Sequence, residues 1–433
     1  MKKTLCTLFI TVLLTSCNKN EEDIYVTLLE IKQEITMMVG EELTLSVEKF
    51  HPQEPKEYEL RWRCDSYSYN SIDLDSISGK IKAKATGGAY IHVYLNNKHR
   101  NSCMIRIEGV LDENNDVYIC GSNNRQPVYW KNGFVHTLNT TKNYTDINTN
   151  TIDIYNDDVY VVGSASGNVN GTYFAEVICW KNGKQIFSQE TGSNVPYELF
   201  VHNNNYYILG LIRDPIVQKT TIWKNGERTD FLLENGTRAH SIFVSNNDIY
   251  VAGQTTYDLK HINDSIYRDC TIAKYWKNGQ EFCLTDSNNV AGAWDITVKE
   301  QDVYVVGWKL ENDTRIAKYW KNDEEFNLNE NNEWSDAHSI VIKNEDVYIL
   351  GMEKGVEFYI PVYWKNGIKT VIDDEGFYYQ PNNIAIGKNG DVYIVTKNND
   401  DFGNYFKNGE RINFAKIYPD YPTVRDIKVV SKK

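Results

Sequence analysis

The chain has 433 residues, of which 41% are hydrophobic, and it carries a formal net charge of −13 at pH 7. Excess negative charge repels a phosphate backbone, so the composition argues against nucleic acid as a partner. Beyond the first 16 residues, no apolar run is long enough for a transmembrane helix, and 30 Tyr and 10 Trp suffice for a large core.

Residues 1–16 have the features of a bacterial signal peptide. Lys2 and Lys3 form a positive n-region, and a largely apolar stretch runs from Leu5 to Leu14. Leu14-Thr15-Ser16-Cys17 resembles the lipobox of bacterial lipoproteins, which implies cleavage before Cys17 and a diacylglyceryl anchor on that residue. An ordinary secretory signal, with an incidental Cys17, is the alternative. Cleavage leaves 44 basic against 59 acidic residues, a net charge of −15.

Residues 17–23 are predicted to be a short acidic tether. Glu21-Glu22-Asp23 resembles the surface-export signal of Bacteroidetes lipoproteins. This resemblance implies a lipid-anchored protein of the outer membrane that faces the cell exterior. The alternative is a solvated linker, since charge runs usually lie on solvated surfaces.

Residues 24–108 are predicted to form a separate β-domain. Leu43–Val47 alternates apolar and polar residues, as half-buried strands do. Trp62 follows mid-domain, then Ser78-Gly79-Lys80-Ile81-Lys82-Ala83, and then Thr86-Gly87-Gly88-Ala89-Tyr90-Ile91. This order is similar to the group 2 bacterial Ig-like domain (BIG2), which implies a β-sandwich that serves as a spacer or an adhesive module.

From about residue 112 to residue 433 the sequence repeats itself. Successive copies of a Trp-Lys-Asn motif are 42 to 53 residues apart, which is the period of a four-stranded β-propeller blade. The copies begin at Trp130, Trp180, Trp223, Trp276, Trp320 and Trp364, with a degraded seventh at Phe406. Asn-Gly, as at Asn278-Gly279, predicts a type I′ hairpin turn after every copy except the one at Trp320. The rhythm resembles the extracellular HAF-type repeat, and seven copies predict a seven-bladed propeller.

The last strand is predicted to close this propeller. The first repeat, around Asp116-Val117-Tyr118, lacks an inner strand before it, whereas Val424–Val429 near the end has no repeat of its own. Pairing the two would remove the free edges of the sheet. The predicted fold is therefore all-β, with an Ig-like β-sandwich followed by a seven-bladed β-propeller that the C-terminal strand closes.

One disulfide bond is possible among the cysteines of the Ig-like domain. Cys64 and Cys103 both fall in the Ig-like domain and could bridge two strands in an oxidising compartment. The four cysteines of the repeats occupy non-matching positions, so we interpret them as small buried residues rather than as a metal cluster; they are Cys120, Cys179, Cys270 and Cys283.

Departures from the repeat pattern identify a candidate binding face. Trp294, Trp308 and Trp334 lie off the pattern, at predicted top-face positions of two adjacent blades. Exposed aromatic clusters stack on sugar rings or anchor partner proteins, so we expect a ligand-binding platform. The alternative is that these rings pack loops together.

A second set of candidates is predicted at the mouth of the central channel. The residue two before each inner-strand Ile or Leu varies in chemistry, as in a ring of residues that recognises a ligand; the set is Ile152, Tyr197, His240, Trp294, His338, Asn382 and Arg425. Tyr197, His240, His338 and Arg425 are expected to select the ligand. The next position is short or acidic and is interpreted as structural; it comprises Asp153, Glu198, Ser241, Asp295, Ser339, Asn383 and Asp426.

A metal or acid–base site at the mouth of the channel is the weaker alternative. His240 and His338 could pair with Asp153, Asp295 or Asp426 in a metal or acid–base site, but they lack the spacing of known zinc motifs. We therefore predict no catalytic residue, no metal and no cofactor. The sequence favours a surface lipoprotein that binds a glycan or a protein ligand. The alternatives are a polysaccharide hydrolase or lyase, and a structural docking subunit of a surface complex.

Overall fold

The computed structural model describes residues 28–432 apart from short gaps, and the described part of the chain contains strands but no helix. The gaps are residues 52, 56, 66–70, 85–86, 111, 113, 124–125, 170–171, 193–195, 214–217, 230, 232, 234–235, 264–265, 330–332, 373–378, 399–402 and 413–422. The predicted signal peptide, Cys17 and the tether lie outside the described residues. No helix in the described ranges has the length and apolar character needed to span a bilayer.

The first nine strands share one hydrophobic core. They are β1 (Leu28–Glu30), β2 (Glu34–Val39), β3 (Glu42–Thr44), β4 (Lys49–His51), β5 (Leu60–Cys64), β6 (Ile72–Leu74), β7 (Lys80–Ala83), β8 (Gly87–Leu95) and β9 (Lys98–Val110). They form a sheet of order β2-β9-β8-β5, a sheet of order β3-β7-β6, and the pair β1-β4. Trp62 is buried between these sheets, and its indole leaves so little room beside Gly79 that a Cβ there would lie 2.8 Å from Nε1.

The proposed Cys64–Cys103 disulfide is wrong. Cys64 of β5 and Cys103 of β9 both face Ile91 of β8 across the ladder, so a whole strand separates them. Two strand spacings are about 9.6 Å, which exceeds the Cα separation of about 7 Å that a disulfide can span. The two thiols are not bonded to each other.

The cysteines of the repeats agree only in part with their interpretation as buried residues. Cys120 and Cys179 are buried, as expected, and burial raises the pKa of both thiols. Cys283 is exposed, because it ends an outer strand. The side chain of Cys270 lies outside the described residues.

The remaining strands form seven four-stranded antiparallel sheets in the described part of the chain. Sheet 1 combines β10 (Asn115–Asn123), β11 (Gln126–Lys131) and β12 (Phe134–Thr137) with β37 (Thr423–Ser431); sheet 2 has β13 (Asp146–Tyr155), β14 (Asp158–Val169), β15 (Thr172–Lys181) and β16 (Lys184–Glu190). Sheet 3 has β17 (Pro196–His202), β18 (Asn205–Arg213), β19 (Gln218–Lys224) and β20 (Glu227–Arg228); sheet 4 has β21 (Thr237–Ser245), β22 (Asp248–Asn263), β23 (Ile266–Lys277) and β24 (Gln280–Cys283). Sheet 5 has β25 (Ala291–Lys299), β26 (Asp302–Glu311), β27 (Thr314–Lys321) and β28 (Glu324–Asn327); sheet 6 has β29 (Ser335–Lys343), β30 (Asp346–Lys354), β31 (Tyr359–Lys365) and β32 (Ile368–Val371). Sheet 7 has β33 (Tyr379–Ile386), β34 (Val392–Asn398), β35 (Gly403–Lys407) and β36 (Glu410–Ile412).

The repeated Trp packs each sheet against the one before it. Trp320 of sheet 5 lies in one core cluster with Tyr250 and Ala273 of sheet 4, and Trp364 of sheet 6 packs on Tyr304 of sheet 5. The other copies of this Trp are buried as well. Consecutive four-stranded sheets packed face to face in this manner are the architecture of a β-propeller.

The repeated Trp-Lys-Asn and Asp-Val-Tyr-like motifs form one polar cluster in each sheet, with Asn205 in place of the Asp in sheet 3. In sheet 4, Asn278 accepts a hydrogen bond from the Ile249 backbone N–H at 2.9 Å and donates one to Asp248 at 2.7 Å. Lys277 forms an ion pair with the same Asp248 at 2.9 Å and lies 5.3 Å from the Tyr250 ring centroid. The motif therefore fastens the third strand to the second, which explains its recurrence without a ligand.

The strand predicted at Val424–Val429 is present within β37. It pairs antiparallel with β10, matching Ile427 with Ile119 and Val429 with Val117. In sheet 1, β37 occupies the end position that the first strand holds in the other six sheets. We call these seven strands the inner strands.

Candidate functional site

Every inner strand has a β-bulge at the same place, where one residue has no partner across the ladder. A bulge bends its strand and redirects a side chain, so the sheets display one residue each from this position. These seven bulge residues are Asn150, Tyr197, His240, Trp294, His338, Asn382 and Arg425.

A glycine of the second strand makes room for the bulge. A Cβ on Gly253 would lie 2.2 Å from the Arg238 carbonyl oxygen, and one on Gly307 would lie 2.0 Å from that of Gly292. Neither distance is possible for a real side chain. In these two sheets the second-strand glycine is therefore a steric requirement of the bulge, whereas sheet 7 has Thr396 at the equivalent position.

The bulges correct the predicted set of mouth residues in sheet 2. Ile152 was expected at the mouth, but the bulge residue of β13 is Asn150. Ile152 is buried, and its backbone N–H donates to Asp426, just as Ile242 donates to Glu198 of the preceding sheet. The structural position beside the bulge is consequently held by Thr151 instead of Asp153.

Four consecutive bulge residues form a continuous aromatic arc. The ring centroids of Tyr197 and His240 lie 6.1 Å apart, and those of His240 and Trp294 lie 4.3 Å apart in an edge-to-face arrangement. Trp294 and His338 are stacked, with centroids 6.3 Å apart and planes 8° apart. The structure therefore brings together four of the sequence-predicted site residues, one from each of sheets 3 to 6.

A buried ion pair holds Trp294 from behind. The Trp294 Nε1–H donates to Asp336 Oδ1 at 2.9 Å, and Arg315 Nη1 pairs with Asp336 Oδ2 at 2.6 Å. Asp336 is only 2% exposed. Because a buried carboxylate is stabilised by partners that neutralise it, this pair fixes the orientation of the indole.

The three off-pattern Trp residues converge on the same arginine. The Arg315 guanidinium lies 3.9 Å from the Trp308 ring centroid and 6.0 Å from that of Trp334. Trp334 is half-buried and contacts Tyr359, with centroids 4.1 Å apart. Trp308 is only 8% exposed, so it packs beneath Arg315 and cannot offer the exposed face that the sequence predicted.

The other three bulge residues belong to a polar arc. Asn382, Arg425 and Asn150 line a cavity of about 440 Å³ between sheets 7, 1 and 2. The Asn150 amide donates to the Pro196 carbonyl at 3.3 Å, and the Asn382 amide donates to the Val424 carbonyl at 3.0 Å. Asn382 and Arg425 are the predicted mouth residues that lie in this arc.

Below the bulges, the next residue of each inner strand bonds to the neighbouring inner strand. The bonds are Ile152 N to Asp426 (2.9 Å), Leu199 N to Thr151 (2.9 Å), Ile242 N to Glu198 (2.7 Å), Ile296 N to Ser241 (3.4 Å), Ile340 N to Asp295 (2.8 Å), Ser339 Oγ to Asn383 (2.7 Å) and Asn383 Nδ2 to Asp426. Five of these bonds satisfy a backbone N–H and two join side chains, in agreement with the interpretation of this position as structural.

Burial shifts the pKa values of the ionisable side chains in and around this layer of inner-strand residues. It raises the pKa of Glu198 to about 8, helped by the negative charge of Asp295, and it also raises the pKa of Asp295. Burial alone would lower the pKa of Lys428, but the surrounding carboxylates outweigh it and raise that pKa. Burial lowers the pKa of His240 to about 4, so this imidazole is neutral at pH 7.

The described residues contain no group of three His, Cys, Asp or Glu side chains placed to hold a metal ion. His240 and His338 lie on opposite sides of Trp294 and contact its ring. The arrangement is suited to stacking and hydrogen bonding with a polar ligand.

Arg315, Asp336 and Asn150 were missed by sequence reasoning. Comparison of the repeats carries a signal for the first two. Thr271 and Tyr359 stand where Arg315 does, five residues before the repeated Trp, and Gly292 stands where Asp336 does. A charge of each sign at these positions in adjacent sheets indicates a local ion pair.

Comparison with known proteins finds only distant structural likenesses. No family model matches the chain, and no curated protein does. The β-propeller domain of the Trilobed protease from Pyrococcus furiosus is 11% identical with a TM-score of 0.41, over 92% of this chain and 97% of that one. A DUF4784 family protein from Bacteroides caccae ATCC 43185 is 9% identical with a TM-score of 0.27, over 94% and 100%. An α-L-arabinofuranosidase from Clostridium thermocellum ATCC 27405 is 10% identical with a TM-score of 0.26, over 63% and 97%. Likenesses this distant carry no argument about the fold or the function of this chain.

Proposed function

We propose that the seven sheets form a closed seven-bladed propeller, carried on an Ig-like spacer and anchored at the outer surface of the cell by a lipid on Cys17. Closure is supported by the hydrogen bonds that join each inner strand to the next, ending with Asn383 to Asp426 and Asp426 to Ile152. It is also supported by β37, which contacts both β33 and β13. The lipobox at Cys17 and the acidic run after it support the location.

The function that the geometry supports best is the binding of a glycan at the ring of bulge residues. The observation that carries this proposal is the aromatic arc, in which Tyr197, His240, Trp294 and His338 are in contact one after another. Sugar rings present apolar C–H faces that stack on aromatic rings, while their hydroxyls bond to amide groups. The polar arc supplies such amides at Asn150 and Asn382.

Binding without catalysis is favoured by the state of the carboxylates near the bulges. Glu198, Asp295 and Asp426 each accept a hydrogen bond from a backbone N–H of the neighbouring inner strand. A glycosidase needs two carboxyl groups directed at the scissile bond, one of which must exchange a proton with the substrate. Carboxylates committed to the backbone are poorly suited to that role.

The test uses the full-length protein on an array of neutral and acidic oligosaccharides, followed by solution affinity measurements for the sugars retained. Trp294→Ala is expected to weaken binding by about 1–3 kcal/mol, as removal of an aromatic anchor does. Asp336→Ala, which removes the acceptor of the Trp294 N–H, is expected to weaken it as well. Tyr173→Ala is the matched control, because Tyr173 is exposed on sheet 2 away from the arc.

Two results would contradict the proposal. Full affinity in the Trp294→Ala protein would show that the arc does not bind the sugar. Release of new reducing ends by the wild-type protein would show that it is a hydrolase.

A further inference from the structure

A glycine in sheet 5 stands where sheet 6 has the carboxylate that holds Trp294. Asp336 lies two residues before the bulge residue of sheet 6, and it accepts a hydrogen bond from the Nε1–H of Trp294, the bulge residue of the preceding sheet. Gly292 lies two residues before the bulge residue of sheet 5 and offers no such acceptor to His240, the bulge residue of sheet 4. The Nε2 atom of His240 is buried and has no hydrogen-bond partner among the described residues. The change from Asp to Gly between these repeats therefore leaves a polar atom of the aromatic arc unsatisfied.

Two further polar atoms face the position that a side chain at residue 292 would occupy. A Cβ on Gly292 would lie 2.4 Å from Gln254 Oε1 of sheet 4 and 2.9 Å from Trp308 Nε1 of sheet 5. Both side chains are buried, and neither atom has a hydrogen-bond partner in the part of the chain that the structure describes. Buried polar groups are almost always paired, because an unpaired one loses its hydration without compensation. We call the space beside Gly292, Gln254 and Trp308 the Gly292 notch.

The Gly292 notch lies beside the aromatic arc. Gly292 precedes Trp294 by two residues on β25, and it pairs with Trp308 across the ladder. The Arg315 guanidinium stacks on the Trp308 ring, 3.9 Å from its centroid. One face of this indole is thus covered by a cation, whereas its Nε1–H lies at the notch.

A hydroxyl group matches the polar atoms of this region. An indole N–H can only donate and an amide oxygen can only accept, whereas a hydroxyl does both. A carboxylate could not donate to Gln254 Oε1, and an ammonium group could not accept from Trp308 Nε1–H. Burial lowers the pKa of His240 to about 4, so this imidazole is neutral and adds no charge that would attract an ion. The donor and the acceptor at the notch therefore select a neutral hydroxyl.

We propose that the Gly292 notch receives the exocyclic hydroxymethyl group of a hexopyranose bound at the aromatic arc. The hydroxyl donates to Gln254 Oε1 and accepts from Trp308 Nε1–H. Because both atoms are buried, a hydroxyl on a short arm reaches them, whereas one attached directly to the sugar would bring the whole ring against Gly292. This inference rests on the proposed glycan-binding function and names its ligand class, which is hexoses that carry this hydroxyl.

The experiment measures the affinity of the full-length protein for four methyl glycosides by saturation-transfer NMR titration. Methyl β-D-glucopyranoside and methyl β-D-xylopyranoside differ only in the hydroxymethyl group, and methyl β-D-galactopyranoside and methyl β-D-fucopyranoside differ only in its hydroxyl. In whichever pair it binds, the wild-type protein is expected to bind the member with the hydroxyl about tenfold more tightly, because the other member leaves the buried donor and acceptor unpaired.

Two variants test the notch itself. Gln254→Met removes the acceptor at similar side-chain volume and should lose most of the preference. Gly292→Ala fills the notch with a methyl group and should abolish the preference. Gln280→Met, at an exposed glutamine of the outer strand β24, is the matched control and should keep it.

The outcomes separate this inference from the proposed function. Trp294→Ala should weaken the binding of both members of a pair by the same factor, leaving the preference intact. Equal affinity within both pairs would overturn the inference but not the proposed function, and a preference that survives both notch variants would overturn it too. Absence of binding by all four glycosides would overturn the inference, whereas full affinity of the Trp294→Ala protein would count against the proposed function alone.

Discussion

At the scale of single residues, the proposed site depends on side chains that lie behind the aromatic arc. Trp294 is the bulge residue of β25, and its orientation is held by Asp336, which is in turn paired with Arg315. The guanidinium is itself stacked on Trp308. Asp336 and Arg315 are therefore positioning residues, and Trp308, which the sequence placed on the binding surface, supports them from below.

Glu198 makes stability depend on pH. Its pKa rises from an ordinary value of 4.5 to about 8 on folding, first because of burial and then because of Asp295. Between these two pH values the folded protein holds a proton that the unfolded chain releases. The free energy of unfolding is therefore expected to fall as pH rises through this window.

Glu198→Gln is expected to remove that slope. Gln stays neutral, and it keeps an oxygen that can accept the hydrogen bond from the Ile242 backbone N–H. The variant should be more stable than the wild type at about pH 8, with a smaller difference at about pH 5, as urea denaturation would show. Glu227→Gln, on an exposed outer strand, is the control and should leave the slope unchanged. A Glu198→Gln protein that keeps the wild-type slope would rule out Glu198 as its source.

At the scale of strands, the bulge of an inner strand depends on the glycine that lies opposite it in the second strand. The second-strand glycine lets the carbonyl of the inner strand approach, and the displaced backbone then redirects the bulge residue. The glycine is constant across most repeats, whereas the bulge residue varies. The fold thus keeps the backbone geometry and leaves one position per sheet at which the side chain varies.

Gly307→Ala should disable the bulge that presents Trp294. Its Cβ would lie 2.0 Å from the Gly292 carbonyl oxygen, so β25 must shift. We expect a loss of about 1–3 kcal/mol in the free energy of unfolding, as overpacking typically causes, together with a loss of glycan affinity. Gly88→Ala is the matched control, because the nearest atom to its Cβ would be 3.9 Å away. An unchanged affinity in the Gly307→Ala protein would separate the bulge from recognition.

The strand scale also shows what the sequence could reveal. The Asn278-Gly279 turn and the repeated Trp are local signals, so the sheets and β37 could be predicted from them. The register of β13 could not, because Ile152 and Ile154 both fit an alternating pattern, and the choice between them depends on the approach to Gly163 in β14. The role of Asp336 could not be predicted either, because it depends on which sheets are adjacent. The strand order β5-β8-β9 separates Cys64 from Cys103, and it likewise cannot be predicted from the spacing of the two cysteines in the sequence.

At the scale of the molecule, the two ends of the repeat region meet at sheets 1 and 7. Asp112, just before β10, accepts hydrogen bonds from the Tyr393 hydroxyl and, at 2.9 Å, from Lys407 of sheet 7. Lys432, just after β37, donates to the Asp112 carbonyl oxygen. These bonds hold the pKa of Asp112 at about 2 despite its burial, which alone would raise it. Both ends of the repeat region are therefore bonded to each other at the junction of sheets 1 and 7.

Deleting residues 423–433 should open the molecule at the junction of sheets 1 and 7. The deletion removes β37, exposes the backbone edge of β10, and takes away the Asp426 carboxylate that bonds to sheets 2 and 7. An exposed strand edge is a template for aggregation, so we expect aggregates or a large fall in the midpoint of thermal unfolding.

Two point variants locate the cause of that effect. Ile427→Asn places a polar group at a fully buried position of β37 and should reproduce much of the destabilisation. Lys432→Ala removes the last contact but leaves the strand pairing, so it should cost far less. If the deleted protein stayed monomeric and melted at the wild-type temperature, the pairing of β37 with β10 would not be what holds the ring together. The seven inner strands would then have to be stable as an open array.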